Sequence, residues 1–297
     1  MPHDHGHHGH SHAHAGAERN VALAVVVNLV LTVAQVAGGI LSGSVALIAD
    51  ALHNFSDAVS LIVAFAARRI ARRPADATMT FGYGRAEVVA ALVNYTALIL
   101  ISLWLAYEAV LRILDPQPVA GGIVIVLAGV ALVIDLITAA LTWRLAQDSV
   151  NIRAAFLHNL ADAGSSVAVI VGGALILMFD WRLADPIITL GISAYILWHV
   201  AQDLGPVIRI LMLGAPPGME RDDLRQAIAA EEGVEGVHHL HLWQIDERRN
   251  SVEAHLVLAE GHAAPEVVAR VKAMLRRDFR LAHSTFEVET RASGCAG

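Results

Sequence analysis

Leu52-His53-Asn54-Phe55-Ser56-Asp57-Ala58 and Leu157-His158-Asn159-Leu160-Ala161-Asp162-Ala163 are identical at five of their seven positions, and both lie inside long apolar runs. In each, a histidine is followed four residues later by an aspartate. On a helix that spacing puts both side chains on one face, one turn apart. Polar residues inside a membrane-spanning helix cost about 2.5–3.5 kcal/mol each on insertion scales, so two matched pairs need a reason. A lone membrane histidine is explained as readily by a hydrogen bond between helices. Two such faces meeting instead supply two imidazoles and two carboxylates. His53, Asp57, His158 and Asp162 then form a complete tetrahedral set for a zinc-like ion.

Working outward, six apolar stretches are long enough to span a bilayer, which takes about 20 residues. They cover about 20–41, 45–67, 87–113, 120–143, 153–179 and 184–206. With six spans, the second and fifth cross in opposite directions. That is compatible with inverted repeats of three helices each, a design that places a site at the repeat interface. Arg19, Arg68, Arg69, Arg72, Arg73, Arg85, Arg144, Arg153 and Arg209 fall on one side, Arg112 and Arg182 on the other. The positive-inside rule puts both termini in the cytoplasm.

Composition agrees. Hydrophobic residues make up 56% of the chain, charged residues 16%, and the mean hydropathy is +0.54. A soluble domain carries roughly 25% charge, so the composition argues against an ordinary soluble enzyme. The single cysteine, Cys295, rules out a disulfide framework, and the net charge of -7 argues against a nucleic-acid partner.

The 297 residues divide into three parts. Residues 1–17 hold seven of the sixteen histidines among Gly, Ala and Ser. This segment reads as an unstructured, metal-collecting tail, the alternatives being a plain disordered end or a tag. Residues 18–213 are the six-helix transmembrane domain. Residues 214–297 hold fourteen acidic and ten basic residues, including the only lysine, Lys272. Here the pattern is a helix over 220–232, a hairpin of strands 234–246 and 251–259, a helix over 265–279 and a strand over 284–290. The order αββαβ suggests a small α+β domain with its helices on one sheet face. Strand alternation places His239 and His241 on one face and His238 on the other, and Glu287 and Glu289 on a shared face. A wet strand face carries such residues without any metal, so the residues alone leave both readings open.

These features together resemble the cation diffusion facilitator family of zinc-type metal/proton antiporters. The likeness covers the His-rich tail, six spans, the HxxxD pairs and the terminal α+β domain. Gly43-Ser44-Val45-Ala46-Leu47 and Phe81-Gly82-Tyr83-Gly84-Arg85-Ala86-Glu87 are also similar to family signatures. The resemblance implies a homodimer that binds Zn²⁺ through His53, Asp57, His158 and Asp162, and a cytoplasmic domain of ferredoxin-like, metallochaperone-like fold. It implies further metal ligands at His238, His255, Glu287 and Glu289. It also implies zinc-type selectivity, since a His stands first in the span-two motif. A loop site found in some members does not carry over: Asp76 remains, but Met79 and Tyr83 stand where ligands would be.

The expected function is proton-coupled efflux of Zn²⁺, or of Cd²⁺, Co²⁺ or Ni²⁺, by an integral protein of a bacterial inner membrane. No cofactor and no catalytic residue is expected. The partners are metal ions, protons, membrane lipid and a second copy. An intramembrane metalloenzyme would need an open metal position and a general base, and no H-E-x-x-H is present. A membrane metal sensor with a structural site is the other alternative. Among the remaining polar residues, Glu108 is expected to pair with Arg112, Asp50 to accept from an imidazole, and Asp135 to line the site or take part in proton passage.

Overall fold

The computed structural model describes the backbone of residues 11–143 and 150–290, and the side chains of 26–60, 62–140, 143 and 156–290. Six long helices come first: α1 (Ser11–Ser42), α2 (Val45–Ala71), α3 (Ala86–Leu114), α4 (Gly121–Trp143), α5 (Val150–Phe179) and α6 (Ala184–Leu211). Then follow α7 (Arg221–Ala229), β1 (Val234–Gln244), β2 (Asn250–Leu258), α8 (Ala264–Asp278) and β3 (His283–Glu289). Among the described residues, α2 to α6 each contain a stretch long and apolar enough to cross a membrane, and α1 adds the shorter apolar segment Val26–Ser42. The expected unstructured tail differs over residues 11–17, which are helical. Ala13, Ala15 and Ala17 are the strongest helix formers, and the transmembrane helix simply continues back through them. Residues 1–10 of that tail lie outside the described residues.

The chain forms two compact units, residues 1–62 with 94–201 and residues 63–93 with 202–297. In the first, small residues let helices approach closely, as lipid-embedded helices require. Ala46, Ala49 and Ala128 are buried alongside Leu47, Leu105, Val124 and Val169. Bulky side chains such as Val126, Val133, Trp104 and Leu177 point outward, where lipid rather than water is their solvent.

Polar groups fix the start of α2. Gly43 takes φ +73°, a left-handed conformation that ends α1 at little steric cost. Ser44 caps α2, its hydroxyl accepting from the Leu47 N–H at 3.0 Å. The buried Asp185 of α6 then accepts from the Val45 and Ala46 amides at 2.8 and 3.3 Å and from the Ser44 hydroxyl. A carboxylate at a helix N-terminus satisfies orphan amides and opposes the positive dipole end. Arg112, paired with Glu108 at 3.0 Å, donates to the Gly43 carbonyl.

In the second unit the α+β segment follows the expected order. Its sheet runs β1-β2-β3, with β1 and β2 antiparallel and β2 and β3 parallel. The parallel pair is joined by α8, the crossover that parallel strands need. Leu240, Leu242, Val252, Ala254, Leu256 and Leu258 face Leu224 and Ile228 of α7 and Val267, Val271 and Leu275 of α8. Both helices therefore cover one face and leave the other open.

Strict alternation fails in β1. His238 pairs with His255 and His241 with Glu253, so one extra residue sits between them. His239 holds φ +46° at this bulge. The bulge lets Val237 and Leu240, three residues apart, both reach the core side. His238 and His239 consequently lie together beside His255, with ring centroids 5.5 Å apart and 5.2 and 4.9 Å from His255. The expectation that they occupy opposite faces is corrected.

Candidate metal centres

In the first unit, α2 and α5 bring together all four residues of the two matched segments. His53 Nε2 lies 3.2 Å from Asp162 Oδ1 and 3.7 Å from Asp57 Oδ2. His158 Nε2 lies 3.2 Å from Asp57 Oδ2 and 3.6 Å from Asp162 Oδ2. Each histidine is thus nearer the aspartate of the other helix than its own. The two rings stand edge to face, 6.0 Å between centroids. Donors about 2.0–2.1 Å from a tetrahedral Zn²⁺ lie about 3.3 Å from one another. The four His–Asp separations straddle that value, but Asp162 turns a different oxygen to each imidazole, and the donor atoms that all lie within 4.8 Å of one another belong to His53, Asp57 and Asp162. That trio suits such an ion as substrate, with His158 at its edge. Asp162 is buried and His53 nearly so, while the His158 side chain is 42% exposed.

The surroundings of this cluster differ in part from expectation. Asp50 does not reach an imidazole. It accepts from Gln35 Nε2 at 2.8 Å and from Ser165 Oγ at 2.6 Å, which ties α1, α2 and α5 together. His53 Nδ1 is buried without a hydrogen-bond partner among the described residues. Asp135 of α4 accepts from Ser166 Oγ at 3.3 Å, four residues along α5 from Asp162.

The loop between α2 and α3 offers no metal geometry. Asp76 Oδ1 accepts from the Thr78 and Met79 amides and the Thr78 hydroxyl, and Oδ2 accepts from the Tyr83 hydroxyl at 2.7 Å. The Tyr83 hydrogen bond, with those from Met79 and Thr78, holds this carboxyl well below the usual carboxylate range. Its oxygens are committed to the turn.

The open sheet face of the second unit carries the other cluster. His238 Nε2 lies 3.1 Å from Glu289 Oε2, and His255 Nδ1 lies 2.7 Å from Glu289 Oε1. Glu287 lies 3.4 Å from the opposite ring nitrogen of His255, Nε2, and is exposed. One imidazole offers one nitrogen to a given metal, so His238, His255 and Glu289 converge while Glu287 stands across the ring. His239 lies beside them because of the bulge, although strand alternation places it away from His238. The three-residue step between Val237 and Leu240 was the signal that could have placed it.

The family model for the cation efflux transmembrane domain matches residues 21–212, and that for the cation efflux protein cytoplasmic domain matches 216–291. The chain belongs to the cation diffusion facilitator family. It is a membrane transporter of the cation efflux class and not an enzyme. The cadmium, cobalt and zinc/H⁺–K⁺ antiporter of Bacillus subtilis is 34% identical over 86% of this chain and 83% of its own length. Zinc transporter ZitB of Pectobacterium atrosepticum is also 34% identical, over 90% of this chain and 83% of its own. Among solved structures, the metal-bound C-terminal domain of the CzcD transporter from Cupriavidus metallidurans is 29% identical over 24% of this chain and 99% of its own, with a TM-score of 0.23.

Proposed function

We propose that this facilitator exports Zn²⁺ and chemically similar divalent cations from the cytoplasm in exchange for protons, through His53, Asp57, His158 and Asp162. The observation that carries the reading is the convergence of His53, Asp57 and Asp162, whose donor atoms lie within 4.8 Å of one another, with His158 3.2 Å from Asp57. A mixed imidazole and carboxylate set suits a borderline ion better than Mg²⁺ or Ca²⁺, which favour oxygen alone. Ligand atoms hold metal only when deprotonated, so proton uptake and metal release are two sides of one exchange. A site that loads metal from the cytoplasm and opens outward to take up protons performs antiport. The relatives named for zinc, cadmium and cobalt transport, one of them an antiporter, support the substrate class and the exchange.

The protein works as a homodimer in a bacterial inner membrane with both termini in the cytoplasm. The arginine distribution supports the orientation. His238, His255 and Glu289 hold a further ion on the cytoplasmic domain. The test is Zn²⁺ uptake into everted vesicles or proteoliposomes with an imposed pH gradient. Uptake should follow the gradient, and collapse of the gradient should slow it. Metal binding with no flux would instead identify a sensor.

A further inference from the structure

In the second unit, the end of α2, the loop before α3 and the tip of the β1–β2 hairpin enclose two adjoining cavities. One, of about 520 Å³, is lined by Arg68, Arg72, Arg73, Arg248 and Arg249. The other, of about 900 Å³, is walled by apolar side chains including Ala67, Ile70, Met79, Phe81, Val89 and Trp243. The two share Phe81, Tyr83 and Arg249 as a common wall.

The walls between them are held by named contacts. Arg85 donates from Nε to the Ile245 carbonyl at 2.7 Å, and Arg249 donates to the Phe81 carbonyl at 3.0 Å. Within the charged cavity, Arg249 pairs with Asp246 at 2.7 Å, and Arg248 and Arg68 lie 3.2 and 3.9 Å from Glu87. Asp246 is drawn out of water, yet hydrogen bonds from the Arg248 and Arg249 amides and the Arg249 guanidinium hold it below the ordinary carboxylate value. Those acids are engaged. Glu247 also lines the cavity. Arg72 and Arg73 have no carboxylate partner among the described residues; Arg73 lies 6.0 Å from the Tyr83 ring centroid. Five guanidinium groups against three carboxylates leave the cavity cationic.

We propose that the paired cavities bind an anionic phospholipid, its phosphate among Arg72, Arg73 and Arg68 and an acyl chain in the apolar cavity. Guanidinium groups match phosphate oxygens in pairs, and basic residues just beyond a membrane helix attract anionic headgroups. The apolar cavity lies within the size range of ligand sites. Its rim carries Ile70, Met79, Phe81, Val89 and Leu213, all exposed large hydrophobics. Such a patch on a membrane protein calls for a cover, and it continues the end of a spanning helix. A free phosphate would use only the arginines, and a neutral hydrophobe only the apolar cavity. A molecule with a charged head and a hydrocarbon tail uses both.

Trp243 in the cavity wall makes the proposal measurable. The full-length protein, with Trp104, Trp143, Trp181 and Trp198 each replaced by Phe, is titrated in detergent with phosphatidylglycerol or phosphatidylcholine brominated on the acyl chains. Phosphatidylglycerol should quench the Trp243 fluorescence at about thirtyfold lower concentration, as two unpaired arginines imply. Arg72→Gln with Arg73→Gln should bring the two lipids level. Ala66→Phe, which places a ring against the apolar cavity, should remove quenching by both and leaves the arginines intact. Equal quenching by the two lipids in the parent, absence of quenching, or displacement of phosphatidylglycerol by millimolar inorganic phosphate would each overturn the proposal.

Discussion

The two histidine and carboxylate clusters use the same chemistry and differ in how the backbone presents it. On α2 and α5 each His–Asp pair is set by a four-residue helical step, and the helices need only face one another. On the sheet, His255, Glu287 and Glu289 follow the two-residue period of β2 and β3, while His238 and His239 share a side only because of an inserted residue. The membrane cluster is reciprocal, each His leaning to the far aspartate. The sheet cluster is hierarchical, with Glu289 bridging two imidazoles. Reciprocal pairs distribute the holding of an ion over two separate helices. A bridged set on neighbouring strands is held by one hydrogen-bonded backbone. The first arrangement suits a transported ion and the second a retained one.

Removing a carboxylate from the reciprocal cluster breaks the comparison most sharply. Asp57→Ala or Asp162→Ala should reduce Zn²⁺ uptake in proteoliposomes to that of empty vesicles, with membrane insertion preserved because loss of an intramembrane acid eases it. Uptake at the parent rate by either variant would end the case for this centre.

On the sheet, the hierarchy predicts unequal effects. Against an Asp57→Ala background, Glu289→Ala or His238→Ala should weaken Zn²⁺ binding, followed by equilibrium dialysis, by about 10–100-fold, the scale on which lost metal-site contacts act. Glu287→Ala should cost far less, because Glu287 faces the other nitrogen of His255. Equal losses would mean that His255 turns its ring to gather both glutamates.

His53→Asp tests donor chemistry rather than presence. One nitrogen and three carboxylates favour harder ions, so the ratio of Zn²⁺ to Mn²⁺ transport should fall by about tenfold in a competition assay. An unchanged ratio would place His53 outside the coordination set.

The smallest effect concerns the bulge. A left-handed conformation costs a side-chain-bearing residue about 1–2 kcal/mol, a cost glycine escapes. His239→Gly should therefore raise the melting temperature of the cytoplasmic domain by a few degrees, read by differential scanning calorimetry. If Zn²⁺ affinity falls at the same time, His239 contributes to binding.

What the sequence reveals and what it hides follow from the same physics. The nearness of the two His–Asp pairs is legible because a helix converts a four-residue step into proximity without further information, and the repeated Leu-His-Asn pattern marks which two helices match. The αββαβ order is legible from alternation and turn residues. The bulge is not, because alternation presumes a period of two, and only the Val237 to Leu240 step betrays the third residue. Asp50 is misread for a different reason. Its partners Gln35 and Ser165 lie on α1 and α5, and no local pattern announces a contact between three helices. Asp185 is likewise visible only as a break before α6, with no hint that it reaches the start of α2.

That contact sets where α2 can turn. The amides of Val45 and Ala46 are fastened to α6 through Asp185, and the neighbouring Gly43 carbonyl to α3 through Arg112. The end of the helix so moored would serve as the fulcrum of any tilt of α2. His53 and Asp57 stand about 12 and 18 Å along the axis from it, at 1.5 Å per residue. A tilt of about 10° would carry them roughly 2 and 3 Å, as far as the bond between zinc and its ligand is long. A lever of this length would need only a slight swing at its root to part the proposed ligands.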